Sequence, residues 1–379
     1  MNRKVGKAAL ILLSSVSLLS AAACSTGGAE TQKVVESAGH KITVMDNTTE
    51  SVYTKLQLEG IGKTEGFRGM DWYTGEQTAA NNGSGNVLVV DKENKDMPPV
   101  TVEGEERYPH NLYLHNFVTG EESLLKESEN SLGFAQLSPD GKHMFYKEVY
   151  EATGIGYIMD LATGESVKAG DAEFMVTEGE WADNEHVIYP NMEGNIVKTD
   201  VSGNSEIAVD TGVGYVHNVV QSGSIIYYIA HEDSQLIAYN TETQTSSVLK
   251  KNVMWIIPSP DGGKLAIVKR TGSGEMALVL CDSSGNEQSA APLASAMQIF
   301  GTSWSPDGSM LAYTTMAENG NESSLFITEV ETGEQTPVMN DIQVSDKLRW
   351  SPSGKQLLAA TAVLKENKYV FITYVITLS

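Results

Sequence analysis

Short apolar runs recur along this chain, and each is closed by a turn-forming phrase rather than continued at a helical spacing. Met144-Phe145-Tyr146, Leu265-Ala266-Ile267-Val268, Met310-Leu311-Ala312-Tyr313 and Leu357-Leu358-Ala359-Ala360 are such runs. Each lies just after one phrase behind a large apolar residue: Leu137-Ser138-Pro139-Asp140-Gly141, Pro258-Ser259-Pro260-Asp261-Gly262, Trp304-Ser305-Pro306-Asp307-Gly308 and Trp350-Ser351-Pro352-Ser353-Gly354. Proline presets φ for a turn, Asp or Ser bonds back to nearby backbone, and Gly accepts positive φ. Each phrase therefore predicts a hairpin between two strands.

Weaker copies fill the gaps, at Trp181-Ala182-Asp183-Asn184, Val220-Gln221-Ser222-Gly223 and Trp72-Tyr73-Thr74-Gly75. The residues preceding the turns fall at 72, 137, 181, 220, 258, 304 and 350, so the spacings are 65, 44, 39, 38, 46 and 46. A second turn occupies the other half of most units, as in Asn116-Phe117-Val118-Thr119-Gly120-Glu121, Asp160-Leu161-Ala162-Thr163-Gly164-Glu165 and Glu329-Val330-Glu331-Thr332-Gly333-Glu334. Two hairpins per unit make four strands, and a repeat of this length whose single copies cannot bury their own apolar faces predicts a propeller. The expected fold is all-β: one β-propeller of seven four-stranded blades, occupying residues 40–379. The last unit ends at Ser379 without its second turn, whereas Ile42 to Glu50 carries a matching pattern. The N-terminal segment is thus expected to complete the last blade, which removes an exposed sheet edge.

The aromatic-Ser-Pro-Asp-Gly hairpin, followed by an apolar strand and then Asp-x-x-Thr-Gly-Glu, resembles the repeat of TolB-type propellers, distant relations of WD-repeat blades. The resemblance runs from about residue 60 to residue 379. It implies the fold and leaves function open, because related propellers serve as envelope scaffolds, as partner domains of serine peptidases and as lyases. Propellers of this type often have six blades, so six remains the alternative to seven, and Tyr73-Thr74-Gly75, Asp183-Asn184 and Gln221-Ser222-Gly223 depart from the pattern.

The first residues read as a targeting segment. Arg3, Lys4 and Lys7 precede the apolar stretch Ala8 to Leu19, which is too short to span a bilayer, and Ala21-Ala22-Ala23 offers small residues for cleavage. Cys24 follows directly and resembles the lipobox cysteine of bacterial lipoproteins, which implies a signal peptide over 1–23, diacylglycerol and palmitate-type acylation on Cys24, and a cell-membrane anchor outside the cytoplasm. An ordinary signal peptide cut after Ala23 is the alternative. Residues 24–39, rich in Gly, Ser, Thr and Glu, read as a flexible tether. Cys281, the other of two cysteines, sits in an apolar strand and is expected to fill core space.

The formal charge of −23 becomes −26 once Arg3, Lys4 and Lys7 leave with the leader. Such a chain disfavours nucleic acid, whose phosphates call for clustered Lys and Arg. No Gly-x-Ser-x-Gly elbow, calcium loop, phosphate loop or His-x-x-x-His pair is present. Of the seven histidines, at 40, 110, 115, 143, 186, 217 and 231, His143 and His186 follow the first turn, His217 lies in the first strand and His231 ends the second, which argues against a shared metal site. We therefore expect no catalytic residue, metal or cofactor. The tryptophans at 72, 181, 304 and 350 share one slot and read as core. Trp255 does not, and with Tyr215 and Phe300 it is a candidate contact at the channel mouth. The strands nearest the axis read as mostly apolar or neutral, as in Gly133-Phe134-Ala135-Gln136. The expected function is a monomeric, membrane-anchored scaffold binding an envelope protein or polymer. A small-ligand sensor using the channel, or a carbohydrate-active lyase or hydrolase, are the alternatives.

Overall fold

The computed structural model describes residues 33–37, 40–44, 56–75, 85–102, 105–272, 274–317, 322–365 and 368–379. Two units are distinguished, 1–55 and 56–379. In the first, Lys33–Ser37 pairs antiparallel with His40–Val44. Cys24 and the expected turn at Met45 to Glu50 lie outside the described residues.

The second unit is a seven-bladed β-propeller without helices among the described residues. Blades 1 to 6 span 68–126, 132–168, 180–209, 216–250, 253–296 and 298–340, each with four antiparallel strands in sequence order from the axis outward. In blade 2, Phe174–Met175 pairs with the third strand as well. Blade 7 takes three strands from the C-terminal end, Arg349–Trp350, Gln356–Lys365 and Lys368–Leu378, and its outer strand from Leu58–Glu65. The ring is closed as the repeat count requires. The closing strand is Leu58–Glu65, later in the chain than the Ile42 to Glu50 pattern suggested, and beside it Gln57 and Ser379 exchange paired backbone bonds at 3.0 Å each way.

Burial explains the strand sequences. Second strands are enclosed by neighbouring blades on both faces and read as unbroken apolar runs, as in Leu265–Val268 and Leu357–Ala360, all nearly inaccessible. Outer strands face water; the closing strand is exposed at nearly every position, which is why its apolar pattern is faint. Cys281 is a free, fully buried thiol among Tyr227, Leu265 and Val279, as expected of core filler.

The repeated phrase closes on itself. Ser138 Oγ donates to Asp140 Oδ1 at 2.8 Å and accepts from His143 N at 3.0 Å, and the pattern recurs at Ser259 and Ser305. Gly141, Gly262, Gly308 and Gly354 take φ of 69–70°, which a side chain would oppose. The tryptophan slot joins blades. Trp72, Trp181, Trp304 and Trp350 each donate from Nε1 to a carbonyl on the inner strand of the preceding blade, those of Arg349, Gln136, Ile257 and Ser303 at 2.9–3.2 Å. Trp255 breaks the rule by reaching forward to Ile299 O at 3.1 Å.

In a four-stranded meander, the first and third turns lie at one end of the blade, and the second turn and the link to the next blade lie at the other. The Ser-Pro-Asp-Gly and Thr-Gly-Glu turns therefore share one face. The opposite face carries the insertion of blade 1, which forms its own hairpin of Val100–Val102 with Glu105–Arg107.

Candidate functional site at the axial mouth

Charged side chains converge on the axis of the ring. Lys347, just before the inner strand of blade 7, forms an ion pair with Glu180, the first residue of the inner strand of blade 3. Blades 7 and 3 are not neighbours, so this contact reaches across the axis. Arg349 of blade 7 likewise places Nη2 3.5 Å from Gln136 Oε1 of blade 2, and Gln136 Nε2 donates to Gly179 O at 2.7 Å. Glu178 Oε2 accepts from the backbone of Asn218 in blade 4 at 2.9 Å.

Beside these lies a buried triad. Arg68 Nε donates to Asp91 Oδ2 at 2.8 Å, with a second contact from Nη2, and His110 Nδ1 stands 3.1 Å from Asp91 Oδ1. Burial alone would raise the Asp91 carboxyl, but Arg68 and His110 hold it below the usual carboxylate range. Gly133 leaves the room this requires, since a Cβ there would stand 2.5 Å from Arg68 Nη2. Asp71 behaves differently: burial pushes it up against the opposing pull of Arg349 and of the N–H groups of Leu137 and Trp72.

Bulges interrupt several inner strands. Irregular register occurs between Gly133 and Gln136, His217 and Val220, and Phe300 and Ser303. The first extra residue of each bulge is left-handed: Phe134 at φ 52°, Asn218 at 50° and Gly301 at 66°. Glycine suits that position, whereas a phenylalanine there costs on the order of 1–3 kcal/mol and persists only where its surroundings hold it. What holds Phe134 is cationic. The Arg68 guanidinium lies 4.4 Å from its ring centroid and Lys147 Nζ 5.5 Å.

Lys147 is 2% exposed, in the second strand of blade 2. Burial pushes its ammonium down to about 7, aided by Arg349 and Arg68 and opposed by Asp346 and Glu178. Lys347 is also pushed down to about 7, by enclosure and by Arg349 and Lys147. Its side chain is 40% exposed and touches Glu180, both of which work against that depression, so the stronger case is Lys147.

Of the expected mouth residues, Tyr215 is 65% exposed just before the inner strand of blade 4 and stacks on His217 at 5.3 Å. His217 is pushed down by burial, and its Nδ1 has no partner among the described residues. Trp255 and Phe300 lie on the inner strands of blades 5 and 6, with the Phe300 carbonyl accepting from Thr314 Oγ1 at 2.9 Å. No described contact joins these three residues. Among the described residues no cluster of three or more His, Cys, Asp or Glu could hold a metal ion. His110 and His115 occupy one strand, and His115 Nδ1 meets Glu122 Oε1 at 3.0 Å.

The reading of the inner strands as mostly apolar or neutral is corrected here. The inner strands and the links before them carry Arg68, Asp71, Glu178, Glu180, Asp346, Lys347 and Arg349. A signal was present: the residue before the slot tryptophan is charged in Asp71-Trp72, Glu180-Trp181 and Arg349-Trp350. Lys147 likewise interrupts an apolar run.

No protein-family model and no curated protein matches the chain by sequence. Among solved structures, it is similar to an oligogalacturonate lyase in complex with manganese, at 15% identity and TM-score 0.58, covering 92% of this chain and 96% of the other. An oligogalacturonate lyase from Vibrio parahaemolyticus gives 14% identity and TM-score 0.59 over the same shares. TolB from Acinetobacter baumannii aligns over 69% of this chain and 66% of its own, at 17% identity and TM-score 0.45. At these identities the likeness is one of fold.

Proposed function

We propose that this chain is a lipid-anchored extracytoplasmic binding protein, without catalytic activity of its own, that engages an envelope component through the axial mouth. The observation that carries the reading is the convergence of Lys347, Glu180, Arg349 and Gln136 from non-neighbouring blades onto the axis. Groups that repeat satisfy themselves within their turns, whereas these groups have chemistry to offer a ligand entering the mouth. The acyl chains on Cys24 supply the attachment, because a mature chain of charge −26, the −23 of the full sequence less Arg3, Lys4 and Lys7, repels anionic headgroups.

Crosslinking in intact cells followed by purification tests the binding claim. The wild type should recover one envelope component repeatedly, the Lys347→Ala/Arg349→Ala variant should lose it, and Ser305→Ala on the turn face should keep it. The reverse pattern would place binding elsewhere. Labelling with an alkyne fatty acid should tag the wild type and spare Cys24→Ala; equal tagging removes the anchor.

A second reading, a lyase acting on an acidic polysaccharide, is favoured by the extent of the likeness to the two oligogalacturonate lyases, 92% of this chain. Incubation with oligogalacturonate and manganese, followed for unsaturated product, decides between them: turnover would replace the binding reading.

A further inference from the structure

The two middle strands of blade 7 run past the blade that holds them. Gln356–Lys365 and Lys368–Leu378 have 10 and 11 residues, against 5 to 8 for the second and third strands of the other blades. Their flanks stop short. On the inner side the strand pairs reach only Leu358, with one further bridge from Val344 to Thr361, and on the outer side the closing strand ends opposite Ile372. Ala362–Lys365 and Lys368–Phe371 therefore continue as a two-stranded ribbon, paired Ala362 with Phe371, Val363 with Val370, Leu364 with Tyr369 and Lys365 with Lys368. Directly opposed residues share a face, so Ala362, Leu364, Tyr369 and Phe371 line one side and Val363, Val370, Lys365 and Lys368 the other. The base of the apolar side rests on blade 1, where the Phe371 ring lies 5.2 Å from the Arg68 guanidinium and 6.0 Å from the His110 ring. Its outer pair is bare: Leu364 is 62% exposed and Tyr369, at 74%, exceeds every other large apolar side chain among the described residues. A two-stranded ribbon is marginal in water on its own, and an apolar pair at its end has area to bury against something else.

We propose that this ribbon is the part of the propeller that seats in the membrane surface, as a second contact beside the lipid anchor. The inference rests on acylation at Cys24 and names where the anchored domain meets the bilayer. Side-chain chemistry favours a bilayer over a protein. Tyrosine and lysine sit at headgroup depth by burying ring or stem while the hydroxyl or ammonium stays wet, and Leu364 supplies apolar area between them. Charge agrees. From Ala362 to Phe371 the ribbon carries Lys365 and Lys368 against the single acid Glu366, in a chain with 49 acids and 26 bases, so it escapes the repulsion that anionic headgroups exert on the rest. Lys365 also meets Glu65 at 2.7 Å, which ties the ribbon to the closing strand.

The point of attachment agrees as well, because the chain leading from Cys24 joins the propeller at blade 7 itself, through Leu58–Glu65. Leu58 and the ribbon tip lie at opposite ends of that blade. The eight positions of Leu58–Glu65 and the four of Ala362–Lys365 separate them by about 40 Å at the rise of a strand. Of residues 24–57, those outside the hairpin of Lys33–Ser37 with His40–Val44 number 22, which reach at most about 75 Å. An anchor at Cys24 is thus long enough for the tip to meet the same bilayer. Each contact raises the effective concentration of the other, so a ribbon too weak to hold the membrane alone still orients a domain that is already anchored.

The test uses the protein purified from membranes and reconstituted in vesicles of phosphatidylcholine and phosphatidylglycerol that carry a phospholipid with a photoreactive group at headgroup depth. After illumination, the labelled peptides are mapped by mass spectrometry. The expected result is lipid label on the stretch from Gln356 to Leu378, and loss of most of it in Leu364→Ser/Tyr369→Ser. Both side chains are exposed, so the variant should keep the wild-type denaturation midpoint. Absence of label from that stretch, label undiminished in the double variant, or equal label on the Ser-Pro-Asp-Gly turns would overturn the inference, as would capture of a protein by the ribbon in intact cells without lipid label. The two claims fail separately. An unlabelled ribbon in a chain that the alkyne fatty acid tags at Cys24 removes the ribbon contact and leaves the anchor, whereas equal tagging of Cys24→Ala removes both.

Discussion

On the turn face, each polar group finds its partners within a few residues. Ser305 Oγ donates to Asp307 and accepts from Met310 N, and the carboxyl of Asp140, bonded by Ser138 ahead of Lys142, is held down to about 2. At the mouth, partners come from far along the chain: Lys347 and Glu180 are 167 residues apart, and Arg349 and Gln136 are 213 apart. Carboxyls on the turn face are eased into ionisation by local donors, whereas at the mouth Asp71 is pushed up and Lys147 pushed down. A repeated device must work in every blade and so must be self-sufficient. Groups that occur once, with their charge held at a disadvantage, are candidates for function.

Substitutions should separate the two faces by their effects. The largest loss is expected from Trp304→Ala, which empties a buried slot and breaks the bond to Ile257 O. We expect a cost of about 3–5 kcal/mol in chemical denaturation, with the mouth's binding chemistry unchanged in kind. Lys147→Met should act in the opposite sense and stabilise the protein by about 1–3 kcal/mol at pH 7. The sign follows from Lys147 titrating at about 7 in the folded protein and near 10.4 when unfolded. Between these values the unfolded chain holds a proton that the folded one sheds, so wild-type stability rises with pH from 7 toward 9. The variant should show a flatter rise over the same window, and an unchanged slope would mean that Lys147 is not depressed.

Smaller effects complete the contrast. Ser305→Ala leaves Met310 N and Asp307 short of a partner and should cost about 1–2 kcal/mol while sparing binding. Glu180→Gln weakens the pair with Lys347, which is partly exposed, and should change stability by less than about 1 kcal/mol while altering recovery of the envelope partner. A Glu180→Gln protein that is unstable but binds normally would collapse the distinction between the faces.

The same division explains what could be read from the chain. Ser-Pro-Asp-Gly hairpins are legible because their partners are neighbours in sequence, and the tryptophan slot is legible because four copies keep one spacing. The closing strand was placed too early because Leu58–Glu65 is exposed along its length and so carries little apolar signal beyond that of Ile42–Val44. Arg68, Lys147, Glu178, Asp346, Lys347 and Arg349 stayed hidden for a different reason. Each looks like a surface charge until the ring closes and sets blade 7 across from blade 3. Trp255 was set apart by its spacing, and its indole does bond in the reverse direction from the others.

Photocrosslinking from single positions on the two faces tests most directly whether the mouth face is the binding face. A photoreactive phenylalanine replaces Tyr215, exposed beside the inner strand of blade 4, or Thr332, exposed in a turn of blade 6. The account predicts that the Tyr215 position captures the envelope component in intact cells and the Thr332 position does not. Capture from Thr332 with none from Tyr215 would contradict it.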